Sequence, residues 1–319
     1  MSKNNDTKQF RPAAIPLMTI DPFFSVWSAS DKLYGDYTRH WSGRLNPMFC
    51  GVNVDGIYYA AMGIARSLNS QKSRNTQHLE QVSVEITPLK TKYRFRNEKV
   101  ELLLTFISPL LPNRLDILSR TASYVEYEMI NISSDVKEIE FVFGISAECC
   151  VDSWEQNVKF GRTEQSTFVG NVVQPVLQKS GDITCIDWGY LHIADTTAKI
   201  VKDIKVRHLD CLLYDEIDIN TICNAMGEHP YMLLEKAEKS GVITIAYDEV
   251  YPIEYCNLSY KSILGIAAYG KLFGEDSYKY RLSSLIMSPC LYFLPLESNI
   301  LYSQFILLLF FLYLFVEIT

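Results

Sequence analysis

The chain has 319 residues, of which 48% are hydrophobic and 21% charged, a composition typical of a globular protein that buries a core. Its net charge of −7, with no run of basic residues, argues against nucleic-acid binding, which depends on clustered Lys and Arg. Aromatic residues reach 13%, which favours β structure because their side chains fit the surface of a pleated sheet.

Residues 1–10 are polar and charged without a repeating pattern, which predicts a disordered N-terminus. No apolar segment of the kind found in secretory signal peptides follows them. We therefore expect a cytoplasmic location by default.

From Pro12 onward, strand and turn signals continue for more than 200 residues. Residues 52–54 and 57–60 flank Asp55-Gly56, a pair that favours a tight hairpin turn because both positions tolerate positive φ. Strands at this spacing without intervening helices predict a mainly β fold, an antiparallel β-sandwich or supersandwich. The further predicted strands are 82–87, 92–96, 100–107, 124–132, 139–145, 183–186, 190–193 and 241–246.

Two later segments predict other structure. Asn, Gly, His and Pro cluster in residues 220–230 and indicate a linker. Residues 231–239 predict a short helix, in which Glu235 and Lys239 have the i, i+4 spacing of a helical ion pair.

The C-terminal residues 300–316 are almost entirely apolar, at the lower length limit for a membrane-spanning helix. A membrane contact through these residues, a buried core helix and a tail foreign to the fold are three open interpretations. The lack of flanking basic residues weakens the first.

The cysteine and histidine patterns do not indicate a metal site. None of the eight cysteines form a C-x-x-C pair, and the five histidines lack ligand spacing. Disulfide frameworks are typical of much smaller secreted domains, so free and mostly buried thiols are expected. His192 falls in an apolar strand, where a packed histidine is more common than a ligand. We predict no metal and no cofactor.

Three segments place carboxylates beside aromatic rings: 21–28 with 39–43, 181–190, and 246–255. Rings can cover the apolar face of a sugar or amino acid while carboxylates accept its hydrogen bonds. An adjacent ring can also raise a carboxyl pKa, as general acid catalysis requires. The structural alternative is that these residues form turns and corners of a sandwich.

In this order, the segments resemble the glutaminase A family. The opening segment 11–28 and residues 39–43 carry the resemblance, and later motifs continue it to about residue 256. Those motifs are Phe106-Ile107-Ser108-Pro109, Gly144-Ile145-Ser146-Ala147-Glu148, Ile186-Asp187-Trp188-Gly189-Tyr190 and Ala246-Tyr247-Asp248-Glu249.

The resemblance implies β-sandwich modules followed by an α/α-toroid domain, and hydrolysis of L-glutamine to L-glutamate and ammonia. It divides the chain into an opening segment (11–70), an N-terminal β-sandwich domain (71–240) and a truncated start of the central helical domain (241–256). Residues 257–319 form an unrecognised apolar tail, which suggests truncation or a frameshift.

Three functions follow as hypotheses: a front portion of a glutaminase A-like amidohydrolase with little activity alone, a carbohydrate- or amino-acid-binding module of a glycosidase-like protein, and a membrane-tethered structural protein. The expected partner is a small polar ligand, glutamine or a sugar. The candidate catalytic residues, at the expected domain junction, are Asp248, Glu249 and Glu254. The candidate substrate-binding residues are Asp187, Trp188, Tyr190, Asp21, Trp27, His40 and Trp41.

Overall fold

Two antiparallel sheets face each other across an apolar core in the computed structural model, which describes residues 12–19, 23–65, 77–113, 117, 121–175, 185–207 and 211–248. The described part is mainly β, as predicted. The helical elements among the described residues include a 3-10 helix (Ala147–Cys150) and a short α-helix, α1 (Ala225–Glu228).

The strands are β1 (Ile15–Met18), β2 (Val26–Ser28), β3 (Met48–Val54), β4 (Ile57–Met62), β5 (Glu80–Ile86), β6 (Lys90–Arg96), β7 (Val100–Ile107), β8 (Ala122–Asn131), β9 (Ile139–Ser146), β10 (Asn157–Arg162), β11 (Thr167–Asn171), β12 (Tyr190–Ile193), β13 (Lys199–Arg207), β14 (Cys211–Glu216), β15 (Ile222–Asn224), β16 (Tyr231–Lys236) and β17 (Ser240–Asp248).

The larger sheet has nine strands in the order β15-β10-β11-β12-β17-β8-β7-β6-β5, and the smaller has six in the order β14-β13-β16-β9-β3-β4. Successive side chains of a strand point to opposite faces, so every second residue can enter the core. Tyr93 and Phe95 of β6 are buried in this way, whereas Lys92, Arg94 and Arg96 beside them are exposed.

β1 and β2 form a separate two-stranded sheet that is bound to the larger one. The hydroxyl of Thr91 donates to the carbonyl of Pro16 over 2.7 Å, and the amide of Thr19 donates to the Ser108 hydroxyl over 2.9 Å. The opening segment is therefore held against β6 and the end of β7.

The six-stranded sheet curls until its edge strands β4 and β14 approach each other. The thiol of Cys211 donates to the carbonyl of Gly56 across this gap over 3.2 Å. The face turned away from the main core therefore encloses a second apolar cluster, formed by Phe49, Tyr58, Val142, Val201, Ile204, Tyr231 and Leu233.

Most predicted strands are present. The predicted hairpin is β3–β4, with Asp55 at φ 52° and Gly56 at φ 83° in the turn. β7 and β12 match the predicted ranges, and β5, β6, β8, β9 and β17 differ only at their ends. Of the predicted strand 183–186, Cys185 and Ile186 lie outside any strand, and residues 183–184 are not among those described.

The predicted helix at 231–239 is wrong. Residues 231–236 form β16, which pairs with both β9 and β13. Tyr231, Met232, Leu233 and Leu234 are all buried because both faces of this strand are covered. The helical pair of Glu235 with Lys239 offers only about 0.2–0.5 kcal/mol, so sheet pairing and burial decide the conformation.

The predicted linker at 220–230 also belongs to the fold. It contains β15, an edge strand of the larger sheet, and α1, which begins after the Asn224 cap. The side-chain oxygen of Asn224 accepts from the amide of Gly227 over 2.6 Å.

β17 lies between β12 and β8, inside the nine-stranded sheet. The resemblance assigns residues 241–256 to a central domain. The first eight of them belong to β17 and are therefore part of the β-sandwich. The tail predicted to contact a membrane, residues 300–316, lies outside the described residues. Within the described ranges, no helix is long and apolar enough to span a membrane.

Candidate functional site

The three segments selected from the sequence meet at one end of the sandwich. The rings of Phe23 and Trp188 pack edge to face, with centroids 5.4 Å apart. Phe24 stacks on Tyr247 at 5.2 Å, and the Tyr247 hydroxyl donates to the carbonyl of Trp188 over 2.9 Å. One aromatic cluster thus joins the opening segment, the loop before β12 and the end of β17.

A hydrogen-bonded polar network adjoins this aromatic cluster. Arg44 donates to the backbone carbonyl of Asp152 over 2.6 Å, and the Asp152 carboxylate accepts from the amide of Cys185 over 2.8 Å. The side-chain oxygen of Gln156 accepts from the amide of Asp152, and its nitrogen donates to Asp187 Oδ2, both over 2.6 Å. This network fixes the position of the Asp187 carboxylate, which is only 3% exposed.

Trp188 presents a buried hydrogen-bond donor. Its side chain is 5% exposed, and Nε1 has no acceptor among the described residues. An unpaired buried donor costs about 1–3 kcal/mol, so native structures rarely keep one without a reason. This indole N–H is the feature of the cluster that most directly indicates an acceptor supplied from elsewhere.

Tyr190 and Asp248 pair directly across β12 and β17. Burial and the nearby Asp248 carboxylate raise the pKa of Tyr190, which keeps its hydroxyl protonated at neutral pH. Asp248 is 5% exposed, at the last residue of β17. The candidates Glu249, Glu254 and Asp21 lie outside the described residues.

Of the other substrate-binding residues predicted from the sequence, Trp27 and His40 make hydrogen bonds within the fold and Trp41 is exposed. The Trp27 indole donates to the Ser25 hydroxyl over 2.7 Å. His40 is buried, with Nδ1 2.8 Å from the Ser42 hydroxyl, whereas Trp41 is 49% exposed. The backbone amide of His40 donates to the carbonyl of Arg44 over 2.8 Å, so His40 is linked to the polar network through Arg44.

Two further large apolar residues are exposed in the loops near the polar network. Trp154 follows Asp152 by two residues and is 64% exposed, while Val173 after β11 is 66% exposed.

Sequence reasoning missed a buried pair between Glu148 and His229. Glu148 Oε1 lies 2.8 Å from His229 Nδ1, and their side chains are 2% and 9% exposed. Glu148 belongs to the 3-10 helix that follows β9, and His229, at φ 49°, ends α1. The partners are 81 residues apart, so no local pattern links them. The only sequence feature that pointed to this pair was the motif at residues 144–148, which ends in Glu148.

The buried thiols Cys150 and Cys185 are poor nucleophiles. Burial raises the pKa of Cys185 to about 11 and that of Cys150 to about 12, so both remain protonated at neutral pH. Nucleophilic cysteines work as thiolates, with lowered pKa values. Apart from the half-buried Cys211, the free cysteines among the described residues are buried, in agreement with the predicted thiol state.

His192 is a packed core residue. Its ring is fully buried, contacts Phe168 with centroids 5.2 Å apart, and lies 3.2 Å from the Ser166 hydroxyl. Burial lowers its pKa to about 3, so it is neutral at physiological pH. No group of three or more potential metal ligands occurs in the portion of the chain that the structure describes.

Comparison with known proteins finds similarity over parts of the chain. A family model described as "Domain of unknown function (DUF4964)" matches residues 1–71, and one described as "Domain of unknown function (DUF5127)" matches residues 89–210. "Glutaminase A" of Aspergillus oryzae (strain ATCC 42149 / RIB 40) is 27% identical over 146 residues, covering 43% of this chain. The matched stretch spans only 20% of that relative. The chain is thus related to glutaminase A distantly and over part of its length.

Proposed function

We propose that the chain is the β-sandwich portion of a glutaminase A-type amidohydrolase, and that alone it binds a small polar ligand, L-glutamine, without hydrolysing it. The observation that carries this proposal is the convergence of three distant segments on Asp187 and Trp188. The partial match to glutaminase A supplies the substrate class.

The ligand chemistry follows from the groups at this end of the sandwich. Glutamine carries amide and carboxylate oxygens, which can accept a hydrogen bond from the Trp188 indole. Its amide and ammonium groups can donate hydrogen bonds to carboxylates such as those of Asp187 and Asp248. The apolar surface of Phe23 would border its methylene groups. Aromatic walls with a few convergent polar groups are typical of small-molecule sites.

Hydrolysis requires more than binding. An amide needs a nucleophile or activated water, a proton donor for ammonia and stabilisation of the oxyanion. His229 with Glu148 has the geometry of a base and its orienting carboxylate. Among the described residues, however, no hydroxyl or thiol is hydrogen-bonded to the other imidazole nitrogen. We therefore expect ligand binding without turnover.

The test uses the purified full chain with L-glutamine, measuring both ammonia release and the thermal unfolding midpoint. We expect no ammonia above the buffer rate and a dose-dependent rise in Tm, because a ligand that binds only the native state stabilises it by about 2.7 kcal/mol at 100 times Kd. Asp187→Asn and Trp188→Phe should remove the rise. The exposed Glu155→Ala is the matched control.

Three results would contradict the proposal. Ammonia release that disappears in Asp187→Asn would establish turnover by this chain. A glutamine response unchanged in both variants would place the ligand elsewhere. No response to glutamine would exclude the ligand class.

A carbohydrate-binding module is the second candidate. The exposed rings of Trp41 and Trp154 favour it, because flat aromatic surfaces stack on sugar rings. A Tm rise with glucose or maltose but not glutamine, lost in Trp154→Ala, would select this function.

A further inference from the structure

A cleft opens where the chain crosses from the six-stranded to the nine-stranded sheet. β16 belongs to the first sheet and β17 to the second, so the turn at residues 237–239 connects the two sheets at the ends of these strands. The cleft beneath this crossover has a volume of about 190 Å³. It is lined by residues of β8, β16 and β17 and by Ile193, Ala194 and Asp195, and shares no residue with the aromatic cluster around Trp188.

The cleft combines an aliphatic floor with charged walls. Ile193, Leu234 and Ile243 are buried apolar side chains of the floor. Lys236 and Glu238, which carry opposite charges, lie at the wall and the rim. Such a distribution fits a small molecule with an aliphatic body and both a negative and a positive group.

Lys236 retains hydrogen-bonding capacity. Its ammonium donates to Asp195 Oδ2 over 2.5 Å and lies 3.5 Å from the Thr197 hydroxyl. An ammonium group has three donors, so one remains for a ligand carboxylate. Asp195 also accepts from the amide and the hydroxyl of Thr197, which holds the ion pair in place.

Tyr127 supplies a further donor. Burial, together with the charges of Glu238 and Asp195, raises the pKa of its hydroxyl to about 12, so it keeps its proton at neutral pH. One face of its ring stacks on Phe141 with centroids 4.2 Å apart. The phenol is thereby fixed in the cleft wall, and the stacked ring face cannot also carry a sugar.

Gly241 keeps the cleft open. It pairs with Tyr127 across β17 and β8, and a Cβ atom at this position would lie 2.7 Å from the tyrosine hydroxyl oxygen. Any larger residue would therefore push against Tyr127 or fill the space above it.

We propose that this cleft binds a free α-amino acid with a neutral aliphatic side chain. The ligand carboxylate accepts hydrogen bonds from Lys236 and the Tyr127 hydroxyl, and its ammonium pairs with the Glu238 carboxylate. Its side chain packs on the aliphatic floor. The size supports a single amino acid, since water occupies about 30 Å³ and drug-sized ligands need roughly 300–1,000 Å³. The proposal is independent of glutamine binding near Asp187.

Isothermal titration of the full chain with L-leucine tests the proposal. We expect saturable binding that N-acetyl-L-leucine amide, which lacks both charges, does not reproduce. Lys236→Met should weaken L-leucine binding at least about tenfold, because a hydrogen bond to a charged group is lost. Gly241→Val should abolish binding, and Gly241→Ala provides a milder obstruction.

Two control variants separate this cleft from the aromatic cluster. Asp187→Asn should leave L-leucine binding unchanged, as should Val82→Ala on the exposed edge strand β5. Circular dichroism must show native β content in every variant compared. Absence of L-leucine binding, equal binding of the uncharged analogue, or binding that survives both Gly241→Ala and Lys236→Met would overturn the proposal.

Discussion

The core between the sheets and the end of the sandwich around Asp187 are both buried, but their chemistry differs. The core is filled by side chains such as Phe106, Phe141 and Phe143, which have no polar group to satisfy. The other region buries Asp187 and the Glu148–His229 pair and leaves the Trp188 indole without an acceptor among the described residues. Stability therefore comes mainly from the apolar core. The region around Asp187 buries polar groups at a cost in folding free energy, which a bound ligand or partner can offset.

The largest expected effect tests the apolar core. Phe143→Ala, at a fully buried position of β9, should lower the free energy of unfolding by about 3–5 kcal/mol, since burial is lost and a cavity remains. Urea unfolding followed by fluorescence measures it. Ile86→Ala, on the exposed edge strand, should change stability by less than about 1 kcal/mol. Equal losses would mean that the core is not the main source of stability.

The next effect concerns the buried pair. Glu148→Ala should cost about 3 kcal/mol, because the imidazole of His229 loses its partner in a buried position. Glu148→Gln keeps an oxygen acceptor and should cost less. Glu155→Ala, which is exposed, serves as the control. If Glu148→Ala cost no more than the control, the pair would not contribute to the fold.

A pH dependence tests the buried His192. Its pKa is about 3 in the folded protein and about 6.5 in the unfolded chain. Below pH 6.5 the unfolded state takes up a proton that the native state does not, so stability falls as the pH falls towards 3. The loss should be about 2 kcal/mol between pH 6.5 and 5.

His192→Gln should remove this component of the pH dependence. The measurement is a series of urea denaturations of both proteins from pH 7.5 to pH 5. Parallel curves for wild type and variant would show that His192 takes up its proton over the same pH range in the folded and the unfolded state.

The smallest effect compares two tryptophans. Trp27→Phe removes an indole that donates to Ser25, and should cost about 1 kcal/mol more than Trp188→Phe, whose indole has no described acceptor. The two substitutions remove the same atoms. Thermal unfolding without ligand gives the difference, and a larger loss for Trp188 would mean that the burial of its ring outweighs the missing hydrogen bond.

Local sequence patterns were sufficient for most of the sheet. Asp55-Gly56 defined a hairpin because its turn requires positive φ, and β7 was recognised from β-forming residues between turn signals. β16 was misassigned because the spacing of Glu235 and Lys239 is a local helix signal. Its pairing with β9 and β13 involves residues far away in sequence.

Part of the candidate site could be predicted from the sequence for the same reason. Asp187 and Trp188 were selected because they lie next to each other and combine a carboxylate with a ring. Arg44, Asp152 and Gln156 carry no such local pattern, and their connection appears only when 3-10 helix, loop and strand ends meet in space.

The position of β17 has a consequence for how the protein folds. Its strand partners, β8 and β12, come from sequence regions more than 100 and about 50 residues earlier, respectively. The β5–β8 and β10–β12 parts of the sheet can each form hairpins as soon as they are synthesised. They cannot join into one sheet until Ser240–Asp248 has been added between them. Until then β8 and β12 expose unpaired edges, so a nascent chain that pauses before Ser240 is a natural substrate for aggregation or for chaperones.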